Sequence, residues 1–245
     1  MRVLQLTDFH LFKNKDMKIH DYCSYECLES VVDYIIQHNC MDADAVIVTG
    51  DISQDGSDSS YRFALMQLSR MNLPLYYISG NHDNKFIMDF VFSESSQVKC
   101  FYELDQKDWK FINVNTVQDG KDSGFISENR LLIIEQEIIQ NKEMKIALFM
   151  HHHPVSVGIP LVDECMLINN REIMNLCDAH HQIKVIACGH AHTDYTKKYN
   201  NCIIDGCPAT CFQWCDGAAD IKTKNKRGFK VLNFNDKYRS ETIFI

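Results

Sequence analysis

Proline is scarce, at 4 of 245 residues, and the chain has no Pro- or Ser-rich stretch, internal repeat or low-complexity tract. Nothing therefore divides it into tethered modules or a stack of repeats. Long apolar runs are missing too: the longest span a few residues, against the roughly 20 that a membrane helix needs, so no membrane partner is expected. Positive charge is in deficit. With 25 Lys+Arg against 33 Asp+Glu the formal charge is -8, which argues against broad binding to nucleic-acid polymers or anionic bilayers, since both rely on summed positive charge. A local cationic site can still take an anion. Neither a glycine-rich phosphate cradle nor a serine nucleophile elbow is present. The opening residues MRVLQLTDFH carry no apolar leader, and the 11 cysteines are odd in number in a long chain. Reduced thiols and a cytoplasmic location are the expectation.

What is there, 45% hydrophobic and 24% charged residues, suits a globular chain that buries a large core as one domain. A short apolar run that ends abruptly in polar residues recurs along it. Val3 to Leu6 precedes Thr7-Asp8, Ala45 to Val48 precedes Thr49-Gly50-Asp51, and Leu75 to Ile78 precedes Ser79-Gly80-Asn81. Ile146 to Met150 ends in His151, and Val185 to Cys188 in Gly189-His190. Such runs, rich in Val and Ile, read as buried strands. Helical spacing separates them: Leu28, Val31, Val32, Ile35 and Ile36 line one face, as do Tyr61, Ala64, Leu65 and Leu68. Asn129 to Asn141 and Glu172 to Ala179 read as further helices. The alternation predicts an α/β fold with mainly parallel central strands. Phe111 to Val114, Cys202 to Asp205, Gly228 to Phe234 and Glu241 to Ile245 read as later strands suited to antiparallel addition. Ala218 to Arg227 reads as an exposed loop, whose lysines are either solvated or steer a phosphate.

In open α/β sheets ligands collect beyond the carboxyl ends of strands. The strand endings here deposit Asp8 and His10, Asp51, Asn81-His82-Asp83, His151, and His190 and His192. Hard oxygen and borderline nitrogen donors without thiolate suit Mn, Fe, Co, Ni or Zn better than a sulfur-bound structural zinc. The single residue between Asp8 and His10, and between His190 and His192, lets each pair point one way if the backbone is extended. Position immediately after the apolar run favours His151 over His152 and His153, which are left as supporting donors or exposed residues. The bland alternative is that these polar residues merely cap strands and begin turns. Between Gly206 and Cys215 the cysteine spacing is unlike paired zinc ligands, so a strand and turn beside the site mouth is the better reading. There Phe212 and Trp214 either stack on a base or pack internally.

The series Asp8-x-His10, Gly50-Asp51, Gly80-Asn81-His82-Asp83, His151 and Gly189-His190-x-His192 resembles the calcineurin-like metallophosphoesterases, and it spans residues 8 to 192. The stretches TDFHLF, TGDISQD, MHHHPV, CGHAH and PATCFQW look like the bacterial class III cyclic-nucleotide phosphodiesterases of the CpdA type. The resemblance implies a sandwich of two central mixed β-sheets flanked by helices. It implies a single metallophosphoesterase domain over residues 1–245, with 206–245 as C-terminal strands and exposed loop. It also implies paired metal ions, the first on Asp8, His10, Asp51 and His192, the second on Asp51, Asn81, His151 and His190, with Asp51 shared. Asn81, His82 and His192 would face the substrate. His82 would protonate the leaving oxygen and Asp83 would orient it.

The chemistry is coherent on its own terms. Paired divalent ions outweigh the charge of Asp8 and Asp51, which attracts an anionic ester together with hydroxide, and they hold nucleophile and phosphoryl oxygens for in-line displacement. A departing ribose alkoxide is a poor leaving group, so an imidazole acid is apt. The expected partner is a small phosphate ester: a 3',5'-cyclic nucleotide, with cyclic AMP leading. A 2',3'-cyclic nucleotide, a glycerophosphodiester or a phosphomonoester is the rival substrate, and a non-catalytic scaffold on the same fold is the rival class. A homodimer is left open.

Overall fold

The computed structural model describes residues 1–38, 40, 42–101 and 103–245. In chain order the strands are β1 (Arg2–Leu6), β2 (Ala45–Thr49), β3 (Leu75–Ile78), β4 (Val98–Cys100), β5 (Glu103–Gln106), β6 (Trp109–Asn113) and β7 (Lys145–Met150). They continue as β8 (Ile183–Cys188), β9 (Tyr195–Tyr199), β10 (Cys202–Gly206), β11 (Gln213–Trp214), β12 (Thr223–Lys224), β13 (Gly228–Phe234) and β14 (Tyr238–Phe244). The helices are α1 (Ser24–Gln37), α2 (Asp58–Ser69), α3 (Lys85–Phe92), α4 (Glu128–Gln140), α5 (Pro160–Asp163) and α6 (Asn170–Ala179).

Two 6-stranded sheets, ordered β14-β13-β1-β2-β3-β4 and β5-β6-β7-β8-β10-β9, carry the fold. Each has a parallel centre, with antiparallel strands at one edge of the first sheet and at both edges of the second. β1 to β4 run parallel with β13 and β14 added antiparallel, and β6, β7, β8 and β10 run parallel with β5 and β9 antiparallel. Antiparallel addition thus holds for β13 and β14 but not for β6 or β10, which lie inside the second sheet.

Alternation along each strand builds the layers. Val3, Ile47, Phe111, Phe149, Val185 and Leu232 meet between the sheets. Leu4, Leu6, Val46 and Val48 turn outward against Leu28, Val31 and Ile35 of α1 and Tyr61 and Ala64 of α2. On the far side Ile146, Leu148 and Ile186 pack on Ile134 and Ile138 of α4 and Ile173 of α6. Strands buried on both faces need apolar residues at every position, which is why they read as uninterrupted runs.

Several elements escape that reading. In α3 the cue is the cap, Asn84 accepting from Ile87 N at 3.2 Å. β9 is an exposed edge strand of sequence YTKKY. The stretch 218–227 is not wholly an open loop: Thr223 and Lys224 form β12, paired antiparallel with Gln213 and Trp214. Three of its four cations are engaged within the protein, Lys224 with Asp216 at 2.9 Å, Lys226 over the Phe244 ring at 3.4 Å, and Arg227 with Ser30 at 2.8 Å. Among the described residues no helix is long and apolar enough to cross a membrane.

Candidate metal centre and active-site cavity

The carboxyl ends of β1, β2, β3, β7 and β8 all open on one place, where loops of both sheets lock together. Asp8, Phe9 and His10 donate their backbone N–H groups to Gly50 and Asp51 carbonyls at 2.8 to 3.0 Å, and His190 N donates to Asp8 Oδ2 at 3.0 Å. The backbone is not extended there, contrary to the expectation from the x-spaced pairs. Asp8, His10, Asp51, His190 and His192 have φ of 57, 51, 51, 63 and 41°, a left-handed region in which ordinary residues are strained by roughly 1–3 kcal/mol each. Each pair still faces one way: His10 Nε2 lies 3.9 Å from Asp8 Oδ1, and His190 and His192 line the same cavity. Gly80 has to be glycine: a Cβ there would overlap the carboxylate and backbone nitrogen of Asp51.

The side chains named from sequence converge. Asp8, His10, Asp51, His151, His190 and His192 are all buried. Each of three imidazoles gives its Nδ1 to an oxygen: His10 to Gln54 Oε1 at 2.6 Å, His151 to the Thr49 carbonyl at 2.7 Å, His192 to the Phe212 carbonyl at 3.1 Å. Since a carbonyl oxygen only accepts, the Nδ1 of each ring carries a proton, and Nε2, the nitrogen left to hold a cation, points inward. Those nitrogens meet one another and the carboxylates. His10 Nε2 is 2.9 Å from His192 Nε2, which is 3.4 Å from Asp8 Oδ1. His151 Nε2 is 3.3 Å from Asp51 Oδ2 and 3.1 Å from Asn81 Oδ1. Among the described residues, Asp8 Oδ1 and His190 Nε2 are buried with no hydrogen-bond partner.

An assembly of facing ring nitrogens and orphaned acceptors is what a cation resolves, so this donor set fits a metal centre. Asp8, Asp51 and His151 form one group whose ligand atoms lie within 4.8 Å of one another, as do His151, His152 and His190. Cys211, which sequence reasoning left out, forms another with His10 and His192. Electrostatics follow burial. Burial pushes His10 down to about 4, and it drives His190 well below the imidazole range with help from His152 and His151. Asp51 goes the other way. Burial alone would raise it, but the neighbouring His151 more than offsets this and holds it well below the carboxylate range.

His152 and His153 are buried, not exposed. His152 bridges Thr116 Oγ1 at 2.8 Å and the Asp122 carbonyl at 3.1 Å, and His153 lies 3.4 Å from Asp163. Asp83 is placed differently from expectation. Its oxygens accept from Ser53 N and Gly80 N at 2.9 Å and from Tyr61 O–H at 3.2 Å, so it ties loops together. Burial and the Asp51 charge push it up to about 6. Among the described residues the partner of His82 is instead Gln54, whose Nε2 donates to His82 Nδ1 at 3.1 Å. Gln54 thereby joins His10 to His82. Its only sequence cue was its place three residues after Asp51 in TGDISQD.

Of these groups His10, Asp51, His190 and His192 line a cavity of about 310 Å³, together with Asn81, His82, Trp214, Ile19, Leu161 and Ile221. Fold and cradle together define a phosphoric-ester hydrolase. The chain belongs to the calcineurin-like phosphoesterases, whose family profile matches residues 1–194. Over 238 residues, 96% of each chain, it is 37% identical to a probable cyclic nucleotide phosphodiesterase of Xenorhabdus bovienii. Over 241 residues, 98% of this chain and 88% of the relative, it is 26% identical to the 3',5'-cyclic adenosine monophosphate phosphodiesterase CpdA of Pseudomonas aeruginosa. A dimetal phosphatase from Danio rerio superposes with a TM-score of 0.72 at 13% identity, covering 100% of this chain and 98% of its own, a likeness of fold.

Proposed function

We propose that the chain is a phosphodiesterase with paired metal ions that opens 3',5'-cyclic nucleotides, cyclic AMP foremost, to 5'-monophosphates. The observation that carries this reading is the set of inward imidazole nitrogens around Asp8 and Asp51 beside a cavity lined by His82. The cyclic-nucleotide specificity named for the relatives supports the choice of ester. Asp8, His10, Asp51 and His192 would hold one ion and Asp51, Asn81, His151 and His190 the other; Mn, Fe, Zn, Co and Ni all suit these donors. Bound there, such ions would make a coordinated water more acidic, for zinc from 15.7 to about 7 to 9, and offset phosphoryl charge.

The chain's own residues do the rest. Asn81, His82 and His192 line the cavity and would contact the phosphoryl group. In the neutral ring Gln54 N–H donates to His82 Nδ1 and orients it; as the acid the ring would be the imidazolium, whose Nε2 proton passes to the leaving ribose oxygen as its bond to phosphorus breaks, leaving a neutral imidazole. Asp83 holds the His82 loop to the Asp51 loop and acts as a positioning residue. Residues 1–245 would work as one catalytic unit, 206–245 supplying a cavity wall.

The test is a substrate panel on metal-loaded protein, with bound metal counted on the same samples: 3',5'-cyclic AMP and cyclic GMP, 2',3'-cyclic AMP and glycerophosphodiesters. Chelator-sensitive turnover led by the 3',5'-cyclic nucleotides is expected. Turnover confined to the other esters would overturn the substrate claim. Replacing His82 by Ala should lower turnover with metal content retained, whereas loss of metal would contradict the role given to it.

A further inference from the structure

Part of the cavity lining, His20, Phe212 and Trp214, is aromatic, and it is built at a conformational cost. Ile19 and Tyr22 exchange backbone hydrogen bonds of 3.0 and 2.9 Å across a two-residue turn. The residues between them, His20 and Asp21, both have positive φ, 47 and 72°. That is a type I′ turn, whose central places belong to Gly, Asn or Asp. Histidine there is strained, and such strain persists where the surroundings impose it, often at ligand sites. The turn displays the His20 ring edge-on to Phe212, at 5.2 Å and 90°, and beside Trp214 at 5.4 Å and 59°.

The display is registered to the metal centre. Tyr22 O–H and Thr223 Oγ1 lie 3.1 Å apart, joining the turn to β12, and β12 pairs with the strand that carries Trp214. Trp214 N donates to the His192 carbonyl at 3.1 Å, and the two rings lie 5.8 Å apart. Phe212 is buried and Trp214 is half-buried, and both line the cavity together with Leu161 and Ile221. A phosphate on the metal cluster would therefore leave its ester's remaining bulk in a cavity lined by Trp214 and His20, with no lysine or arginine among the described lining residues.

We infer that the Trp214–His20 wall is the seat of the nucleobase, with Trp214 stacking on the base and fixing the ester over the metal cluster. This inference rests on the cyclic-nucleotide reading above and adds which residues recognise the base. Stacking on an aromatic side chain accepts any base and weakens binding roughly tenfold or more when the side chain is truncated to alanine.

Two readouts test it. In the first, Trp214→Ala and Trp214→Phe are assayed on 3',5'-cyclic AMP with metal content checked. KM should rise about tenfold in the alanine variant, far more than kcat falls, and phenylalanine should restore most of it. In the second, wild-type tryptophan fluorescence is titrated with AMP and with ribose 5-phosphate. The other of the 2 tryptophans, Trp109, is buried between the sheets, so the response reports on Trp214. AMP should quench at a concentration about tenfold or more below ribose 5-phosphate. An unchanged KM in Trp214→Ala, or equal affinity for the two phosphates, overturns the base site. Should the wild-type enzyme turn over no cyclic nucleotide, the functional reading fails, and the fluorescence comparison still decides whether this wall binds a base.

Discussion

Gln54 is the side chain whose loss would uncouple the two halves of the site. Its Oε1 takes the His10 Nδ1 proton at 2.6 Å and its Nε2 donates to His82 Nδ1 at 3.1 Å. Leucine keeps the bulk and removes both bonds. At about 1 kcal/mol for each neutral hydrogen bond the loss is about 2 kcal/mol, or roughly 30-fold at about 1.36 kcal/mol per decade. That falls within the roughly 10- to 100-fold typical when an outer partner of a metal ligand is removed. The two shares can be separated. Saturating Mn should restore occupancy weakened on the His10 side, leaving a deficit in kcat of about fivefold from the His82 side. The assay is turnover of 3',5'-cyclic AMP against added Mn, with metal counted in parallel. Gln54→Glu, whose carboxylate still accepts from His10 Nδ1 but has no N–H for His82 Nδ1, should bind metal more tightly than Gln54→Leu. A leucine variant with wild-type kcat and wild-type metal affinity would refute the bridge, and with it the orientation given to His82.

Lys230 is fully enclosed between Asp205 and Asp194, the latter at 2.9 Å, and Tyr238 O–H also donates to Asp205. Lys230→Met strands the Asp205 carboxylate and should cost about 3–5 kcal/mol, seen as a fall in Tm of about 10 °C; a change within 2 °C or so would show the pair to be dispensable. The same pair sets a pH dependence. Burial would lower the Lys230 pKa, but the two aspartates outweigh it and raise it. Its stabilisation is therefore complete below the unfolded value of about 10.4 and disappears as pH climbs through the higher folded value. Urea midpoints should fall above about pH 10 in the wild type and more shallowly in Lys230→Met. Gly80→Ala, which drives a Cβ into Asp51, should lower bound metal while far-ultraviolet circular dichroism stays near wild type; an alanine variant with a full metal complement would show that the loop yields.

Much of the architecture is legible because its strands are buried twice over. β1, β2, β7 and β8 have no solvent face, so their apolar runs and their abrupt polar endings stand out in the sequence, and the endings are the site. What stays hidden depends on geometry that residue types do not encode. The pairs Asp8/His10 and His190/His192 face one way through left-handed backbone rather than through strand alternation. Gln54 has no chemistry of its own and matters because its carboxamide spans two rings. Asp83 has the right type and place to serve His82, yet loop N–H groups claim its oxygens. His152 and His153 follow the strand end and would be solvent-facing on a shorter loop, but segments around Thr116 and Asp163 cover them. Within 218–227 the short β12 ladder depends on a partner strand about ten residues earlier in the chain, and nothing in its polar sequence announces it.

Metal counting on Asp51→Asn tests the central claim most directly, since Asp51 Oδ2 reaches toward both halves, 3.8 Å from His10 Nε2 and 3.3 Å from His151 Nε2. Stripped wild-type protein titrated with Mn should take up about two ions per chain. The asparagine variant, with the shared charge removed, should hold at most one under the same conditions and lose its phosphodiester hydrolysis. Wild-type protein that binds no ion, or an Asp51→Asn variant that keeps both with unchanged affinity, would contradict a paired-cation cradle at this position.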